Sequence, residues 1–287
     1  MITQCSIDWL SVTTKHKRGA ITPKSLTDTY LEKKGRLGYK VSYVFDNGVT
    51  QLWSDDRPEI HVIYSGETLK AISETMSIQN LVQWHADLGH RVSRIDTAID
   101  VFETDLQVID FAKLWAKGNV KTRAKNGILI SDPRNETGDT FYVGSLKKRR
   151  KLLRIYDKAK EQQIDKQWVR FEMQWGAGAA RTCAKQISES SGLPATIKAQ
   201  MRGYCDFKQS VWRKVFSDTQ PMSVSHEVPA GVPNRLKWLY ESVLPAMVKQ
   251  EIETPGMMDV FARMVHETIE RQNKTDRQYV DNVPVRY

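Results

Sequence analysis

Three short segments of the sequence alternate apolar with charged residues, and the charged residues include types that can act on phosphate esters. The residues concerned are Arg94, Asp96 and Asp100 within 91–102, Arg154, Tyr156 and Lys158 within 151–158, and Arg170 and Glu172 within 167–175. Because successive side chains of a strand point to opposite faces, each segment predicts a strand with one apolar and one charged face. An arginine stands two positions before a reactive side chain in all three segments. We interpret the three charged faces as one catalytic surface; the alternative is a solvated face of an antiparallel sheet.

The carboxylates of this surface suit a divalent metal ion. Asp96 and Asp100 are four residues apart, which is about 13 Å on a regular strand at roughly 3.3 Å per residue. A single ion cannot bind both unless a bulge bends the strand, so we expect it to join one of them to Glu172 on a neighbouring strand. Carboxylates with water ligands are typical of Mg²⁺ or Mn²⁺ sites. The alternative is that all three form salt bridges with the interleaved arginines.

Tyr156 is the candidate nucleophile. A free phenol has a pKa of about 10 and is a poor nucleophile at pH 7. Arg154 and Lys158 share its strand face, and we expect them to favour its anion. Tyr142 is a rival, although only Thr140 and Gly144 share its face, which offers less activation.

Five consecutive cations precede the strand of Tyr156. They are Lys147, Lys148, Arg149, Arg150 and Lys151. The run is predicted to form a hairpin tip that leads into the charged face, and phosphate contacts are the function expected of it. The alternative is a solvated loop.

Composition and motifs exclude several classes of protein. The formal charge of +9 in 287 residues permits an anionic partner such as nucleic acid. No GxSxG, Walker or GxGxxG motif is present, so the signatures of serine hydrolases, P-loop NTPases and dinucleotide enzymes are missing. No stretch approaches the roughly 20 apolar residues of a membrane span, and no secretory signal is recognised. Three scattered cysteines indicate reduced thiols and a cytoplasmic location.

The surrounding pattern predicts an α+β fold. A central, mainly antiparallel sheet is expected, with helices 67–88 and 105–117 on its apolar face and the active site on its open face. Asp46-Asn47-Gly48 predicts a hairpin turn, and a further helix is predicted near 26–34. The predicted organisation is a catalytic domain 1–216, a linker 217–235, a small helical C-terminal segment 236–275 and a loose tail 276–287.

In order along the chain, these segments resemble the replication initiation factor (Rep_trans) family of rolling-circle initiators and related relaxases. Residues 7–12 (IDWLSV) resemble its opening strand, and Ser93–Phe102 its R-[LIV]-D-x-A-x-D motif. The other matching motifs are Y-x-G-S followed by R-I-Y-x-K at 142–145 and 154–158, and W-x-R-x-E at 168–172. The chain departs from the family at Ser145-Leu146 and the basic run, which concerns DNA recognition rather than the nucleophile.

The resemblance implies a role for each matching position. Tyr156 matches the nucleophile, and the acidic positions that imply divalent metal are matched by Asp96, Asp100 and Glu172. The cationic positions are matched by Arg94, Arg154, Lys158 and Arg170. Such an enzyme nicks one strand at an origin, forms a 5′-phosphotyrosyl link, frees a 3′-OH primer and later rejoins the strand.

Several alternatives remain open from the sequence. A mobilisation relaxase of a conjugative element would use the same chemistry. A metal-dependent hydrolytic nuclease would use water instead of Tyr156, and a non-catalytic DNA-binding protein would need neither. The expected partner is single-stranded or hairpin origin DNA, and the C-terminal helices could contact a host helicase, form a homodimer or simply pack.

Overall fold

Strands dominate the first part of the chain, as the alternating patterns predict. The computed structural model describes residues 1–14, 29–132, 134, 138–208, 210–216, 219–225, 239 and 243–281. The chain divides into two compact units, Met1–Glu227 and Val228–Tyr287. The described strands are β1 (Ile2–Thr14), β2 (Tyr30–Lys34), β3 (Val41–Phe45), β4 (Thr50–Trp53), β5 (Ile60–Ser65), β6 (Arg91–Phe102), β7 (Val120–Thr122), β8 (Gly127–Ile130), β9 (Thr140–Gly144), β10 (Lys151–Asp157), β11 (Trp168–Gly176) and β12 (Cys205–Phe207).

Helices are present in both units. In the first unit they are α1 (Gly66–Ser73), α2 (Ile78–Asp87), α3 (Val108–Ala116), α4 (Lys158–Glu161), α5 (Gly178–Ser188), α6 (Leu193–Tyr204) and α7 (Ser210–Phe216). The second unit contains α8 (Leu244–Glu253) and α9 (Met257–Asp281). No helix in the described ranges combines the length and apolarity needed to cross a bilayer.

Ten strands form one sheet in the order β2-β3-β4-β5-β1-β6-β11-β10-β9-β8, and β7 pairs separately with β12. All pairings among these strands are antiparallel. The predicted hairpin turn at Asn47-Gly48 joins β3 to β4, and Gly48 adopts the positive φ of 84° that the turn requires. The α+β class and the mainly antiparallel sheet are therefore confirmed.

The apolar faces of the central strands form the core. Ile95, Ile99, Ile155 and Phe171 are buried there, and helices α3, α5 and α6 contact the strands that carry them. Phe111 of α3 packs edge-on against Phe171, with ring centroids 5.5 Å apart. Each such fully buried side chain stabilises the fold by roughly 1.5–3 kcal/mol. Burial of this face leaves the charged side chains of the same strands on the opposite face of the sheet.

Local hydrogen bonds move several predicted helix boundaries. The predicted helix 67–88 is two helices, because Ser77 accepts a hydrogen bond from the Asn80 amide and begins α2. Thr104 accepts from the amide of Leu106 instead of capping a helix, so α3 begins only at Val108.

The predicted helix near 26–34 is wrong in its described part. Residues Tyr30–Lys34 form β2, which pairs with β3, and 26–28 lie outside the described residues. The Glu and Lys residues of this segment favour a helix, but pairing with a neighbouring strand overrides that preference.

Part of the predicted linker 217–235 belongs to the first unit and packs within it. Val224 is buried, and Thr182 of α5 donates a hydrogen bond to the Ser225 carbonyl. The rest of the linker lies outside the described residues. In the second unit, α9 reaches Asp281 and so runs into the predicted tail 276–287.

Candidate active site

The three charged segments lie side by side in the sheet, in the order β6, β11 and β10. Their register places Arg170 between Asp100 and Tyr156, and Glu172 opposite Arg154. These residues therefore form two neighbouring rows across the strands, and both rows lie on the face opposite to the core. The sheet brings together the predicted residues of all three strands on this surface.

A hydrogen-bonded group on β10 and β11 contains the candidate nucleophile. The Tyr156 hydroxyl donates to Oε2 of Glu172 at 2.9 Å, and Arg154 donates to Oε1 of the same carboxylate. Glu172 is buried, whereas Arg154 is about one-third exposed (36%). The Glu172 carboxylate thus accepts hydrogen bonds from the Tyr156 phenol and from a cation that reaches solvent.

Arg154 and Lys158 are expected from the sequence to favour the Tyr156 anion, but the structure has a different arrangement. Burial and the negative charge of Glu172 raise the pKa of the Tyr156 phenol above its ordinary value. Arg154 is bonded to Glu172 and Lys158 to Glu161, so neither cation is directed to the phenol oxygen. A carboxylate already bonded to the hydroxyl can instead accept its proton.

Lys158 stands at the edge of the group. It was predicted to belong to the strand, but β10 ends at Asp157, which caps α4 by accepting from the Lys160 amide. The Lys158 ammonium lies 5.6 Å from the centroid of the Tyr156 ring, as does the Arg154 guanidinium. Both cations therefore flank the tyrosine.

Asp100 forms a separate buried ion pair. Arg170 donates to both of its oxygens, at 2.7 and 2.9 Å, and Trp168 Nε1 donates to Oδ1 at 2.5 Å. Arg170 and Asp100 have side-chain exposures of 10% and 6%. The pair positions β11 against β6, and Arg170 in turn lies opposite Tyr156.

We expect Asp100→Ala to lower the free energy of unfolding by about 3–5 kcal/mol, because it leaves the Arg170 charge buried without its main partner. Urea denaturation measures the change. The matched control is Asp110→Ala, whose exposed pair with Lys113 should contribute only about 0–1 kcal/mol. Equal small losses in both variants would contradict the structural role of Asp100.

Asp96 is bonded to the arginine two residues before it. Arg94 Nε lies 2.9 and 3.1 Å from its two oxygens, and Arg94 Nη2 also donates to Oδ2. The guanidinium stacks on the indole of Trp9, 4.8 Å from the ring centroid. Burial raises the pKa of Asp96 to about 6, although the bonds from Arg94 oppose the shift.

This shift predicts a pH dependence of stability. The folded form holds the Asp96 proton more tightly than the unfolded chain, so its contribution is fully present below about pH 4 and is lost as pH rises through 6. At about 1.4 kcal/mol per pKa unit, the loss is about 3 kcal/mol. Asp96→Asn should therefore gain stability over wild type by about that amount between pH 4 and pH 8 in urea titrations. Parallel curves for the two proteins would contradict the prediction.

Asp8 also belongs to the site and is not among the residues that the sequence patterns predict. Its Oδ1 accepts from Arg170 Nη1 at 3.1 Å. Burial raises the pKa of Asp8, and the charge of Arg170 opposes that shift. A side chain at Gly66 would meet this carboxylate, because a Cβ there would lie 2.8 Å from Oδ1.

A β-bulge brings Asp8 to this face. The β1–β6 register shifts between Ile7 and Trp9, so that Asp8 is an extra residue in β1. The sequence held a signal for this irregularity. The buried positions Ile7, Leu10 and Val12 are separated by three and then by two residues, whereas a regular strand requires two throughout.

The three predicted metal ligands do not form one cluster. Within the described ranges, no group of three or more His, Cys, Asp or Glu side chains is arranged to hold a metal ion. Asp100 is bonded to Arg170, while Asp96 and Glu172 are buried carboxylates whose charges influence each other. Mg²⁺ in proteins is commonly held by one or two carboxylates together with substrate phosphate oxygens. The donor set of Asp96 and Glu172 fits that kind of site.

The basic run connects β9 to β10. Lys147, Lys148, Arg149 and Arg150 are exposed, and Arg149 has a positive φ of 43°. Lys151 is the first residue of β10 and shares the parity of the core-face residues Leu153 and Ile155. The cations are therefore divided between the turn and the helix-covered side of the sheet.

Known replication initiators are similar to this chain in sequence and in fold. A model of the replication initiation factor family, Rep_trans, matches residues 90–256. The solved structure of a rolling circle replication initiator protein from Geobacillus stearothermophilus is similar, with a TM-score of 0.64 at 20% identity. The alignment covers 79% of this chain and 100% of that one, and it supports a shared fold. No curated protein sequence matches the chain.

Proposed function

Because the chain belongs to the replication initiation factor family, we propose that it initiates rolling-circle replication by nicking and rejoining one DNA strand through Tyr156. The observation that carries this proposal is the Tyr156–Glu172 hydrogen bond at 2.9 Å, flanked by the cations Arg154 and Lys158. A nucleophile, a proton acceptor and two cations stand together there.

The proposed step is an in-line transfer. The Tyr156 oxygen forms a bond to the scissile phosphorus while Glu172 accepts the phenolic proton, and the bond from phosphorus to the 3′-oxygen breaks. The leaving 3′-oxygen takes a proton from water and becomes the primer hydroxyl. The 5′-phosphotyrosyl ester keeps the energy of the broken bond, so reversal rejoins the strand without ATP.

Fixed positive charges would stabilise the transition state. Arg154 and Lys158 are placed to neutralise charge on the non-bridging phosphate oxygens, and Arg94 lies on the same face two strands away. Asp96 and Glu172 would hold Mg²⁺ or Mn²⁺, which when bound polarises a phosphate and offsets its charge. Arg170 positions Asp8 and Asp100 beside the tyrosine.

The surface beside Tyr156 suits an unpaired strand. Tyr142 on β9 lies opposite Arg154, and Ile128 on β8 lies opposite Tyr142. Ile128 and Ile130 are exposed large apolar side chains at this end of the sheet. Aromatic and apolar groups next to cations are the means by which proteins hold the bases and backbone of single-stranded nucleic acid.

Tyr142 is the weaker candidate nucleophile. It occupies the same face, but within the described ranges no carboxylate is hydrogen-bonded to its hydroxyl. Of these two tyrosines, Tyr156 is therefore the one with a carboxylate in place to accept its proton.

Covalent capture tests the proposal. Wild-type protein is incubated with Mn²⁺, Mg²⁺ or EDTA and single-stranded or hairpin DNA from the parent replicon, and the adduct is mapped by peptide mass spectrometry. We expect a metal-dependent adduct on Tyr156. Cleavage without an adduct would indicate a hydrolytic nuclease, and binding without cleavage a non-catalytic DNA-binding protein. A mobilisation relaxase shares the chemistry and differs in acting at a transfer origin.

A further inference from the structure

A second cationic surface lies in the first unit, away from Tyr156. It is a cleft of about 890 Å³ between the β7–β12 pair, the turn after β9 and the end of α6. The core-face residue Trp175 lines it, so the cleft opens on the helix-covered side of the sheet. The site of Tyr156 is on the other side.

Positive charge dominates the lining of this cleft. The cations among its described residues are Lys121, Arg123, Lys125, Lys148, Lys151 and Arg202. The acidic side chain among them is Asp206, which already accepts hydrogen bonds from Arg202 and Trp212. Five cations are thus left without an acidic partner in the cleft wall.

The structure holds two of these cations close together. The Lys151 ammonium donates to the Val224 carbonyl, which fixes it in the wall. Burial lowers the pKa of Lys151, and the nearby charge of Arg123 lowers it further. Like charges held together are stabilised by an anion that contacts both.

We infer that this cleft is a second DNA-contact site, which binds phosphates of the DNA backbone at a distance from the nick. DNA is the polymer here because the inference rests on the proposed function. Lys151 is the first residue of β10 and Tyr156 lies five residues further along the same strand, about 16 Å away at roughly 3.3 Å per residue. At about 3.4 Å per nucleotide along one strand of a duplex, the cleft contacts phosphates about five or more base pairs from the scissile one.

Fluorescence anisotropy at several salt concentrations tests this inference. The protein carries Tyr156→Phe and the buffer contains EDTA, so cutting does not enter the measurement. The cleft variant adds Lys121→Gln, Arg123→Gln and Lys125→Gln, all at exposed positions of the cleft. Any hairpin with a duplex arm of about 20 base pairs is a suitable probe, because phosphate contacts carry no sequence information.

The salt dependence of binding gives the expected result. Each phosphate contact contributes about 0.9 to the slope of log K against log salt, so the cleft variant should lose about 2–3 from that slope. A hairpin with no duplex arm beyond the nick site should show the same slope with both proteins. A charge-conserving variant, Lys121→Arg with Arg123→Lys and Lys125→Arg, should restore the slope.

A matched control removes three exposed cations elsewhere, through Lys33→Gln, Lys34→Gln and Lys70→Gln. An equal loss of slope in this control would overturn the inference, since it would show a general charge effect. Unchanged DNA binding together with lost affinity for a free nucleoside triphosphate would also overturn it. Because binding is measured without cleavage, a failure of Tyr156 chemistry leaves the result readable.

Discussion

Tyr156→Phe abolishes the covalent protein–DNA adduct and lowers nicking at least about 10⁴-fold, if the phenol is the nucleophile as proposed. The change removes one oxygen and leaves the ring between Arg154 and Lys158. DNA affinity should therefore stay within about twofold, since phosphate contacts from cations dominate binding. Denaturing gels measure the adduct, and anisotropy measures the affinity.

Tyr142→Phe is the matched control for that result. Tyr142 is a second tyrosine on the same face, opposite Arg154. The Tyr142→Phe variant should form the adduct on Tyr156 at close to the wild-type rate. An adduct that persists in Tyr156→Phe and disappears in Tyr142→Phe would reverse the assignment of the nucleophile.

Glu172→Gln should reduce nicking by about 10²–10⁴-fold, the range of general-base catalysis. The amide keeps the shape and can accept from Arg154, but it cannot take the phenolic proton. The variant should recover activity as pH rises, because the loss of the Glu172 charge removes one of the causes that raise the pKa of Tyr156, and hydroxide can then take the phenolic proton that the carboxylate no longer accepts. Single-turnover rates from pH 6 to about 10 measure this recovery.

A pure metal-ligand role for Glu172 predicts a different outcome. Activity would then recover with higher Mn²⁺ concentration rather than with pH. Glu67→Gln, an exposed glutamate in the first turn of α1, is the control for loss of one negative charge. It should leave both profiles unchanged.

The sequence predicted the three charged strands well because their patterns are long and regular. β6 spans 91–102 as predicted, and the faces assigned to Tyr156 and Glu172 are those the sheet uses. Strand alternation is a local property that needs no knowledge of neighbouring strands. Helix boundaries depended on single hydrogen bonds such as Ser77 to Asn80, which composition does not reveal.

Partners within the site were harder to predict than the site itself. Proximity in sequence suggested that Arg154 and Lys158 activate Tyr156, but the bonds of Arg154 to Glu172 and Lys158 to Glu161 are set by register and by the start of α4. The pairing of Asp100 with Arg170 depends on β11 lying next to β6. Both facts concern strand order, which a single sequence does not give.

The extra residue that Asp8 adds to β1 affects how this strand tolerates a deletion. The pairs Ile7 with Thr97 and Trp9 with Asp96 are consecutive on the β6 side, so β1 contains one residue more than the ladder needs at that point. Deleting Asp8 would leave every other β1–β6 pair in register and remove this bulge, whereas the second register shift, between Ser11 and Val12, would remain. Deleting another residue of β1 with the bulge kept would instead shift the residues beyond it by one position and reverse their faces. The position that carries a carboxylate to Arg170 is therefore one whose loss the sheet can absorb, and an intact fold would be no sign of an intact site.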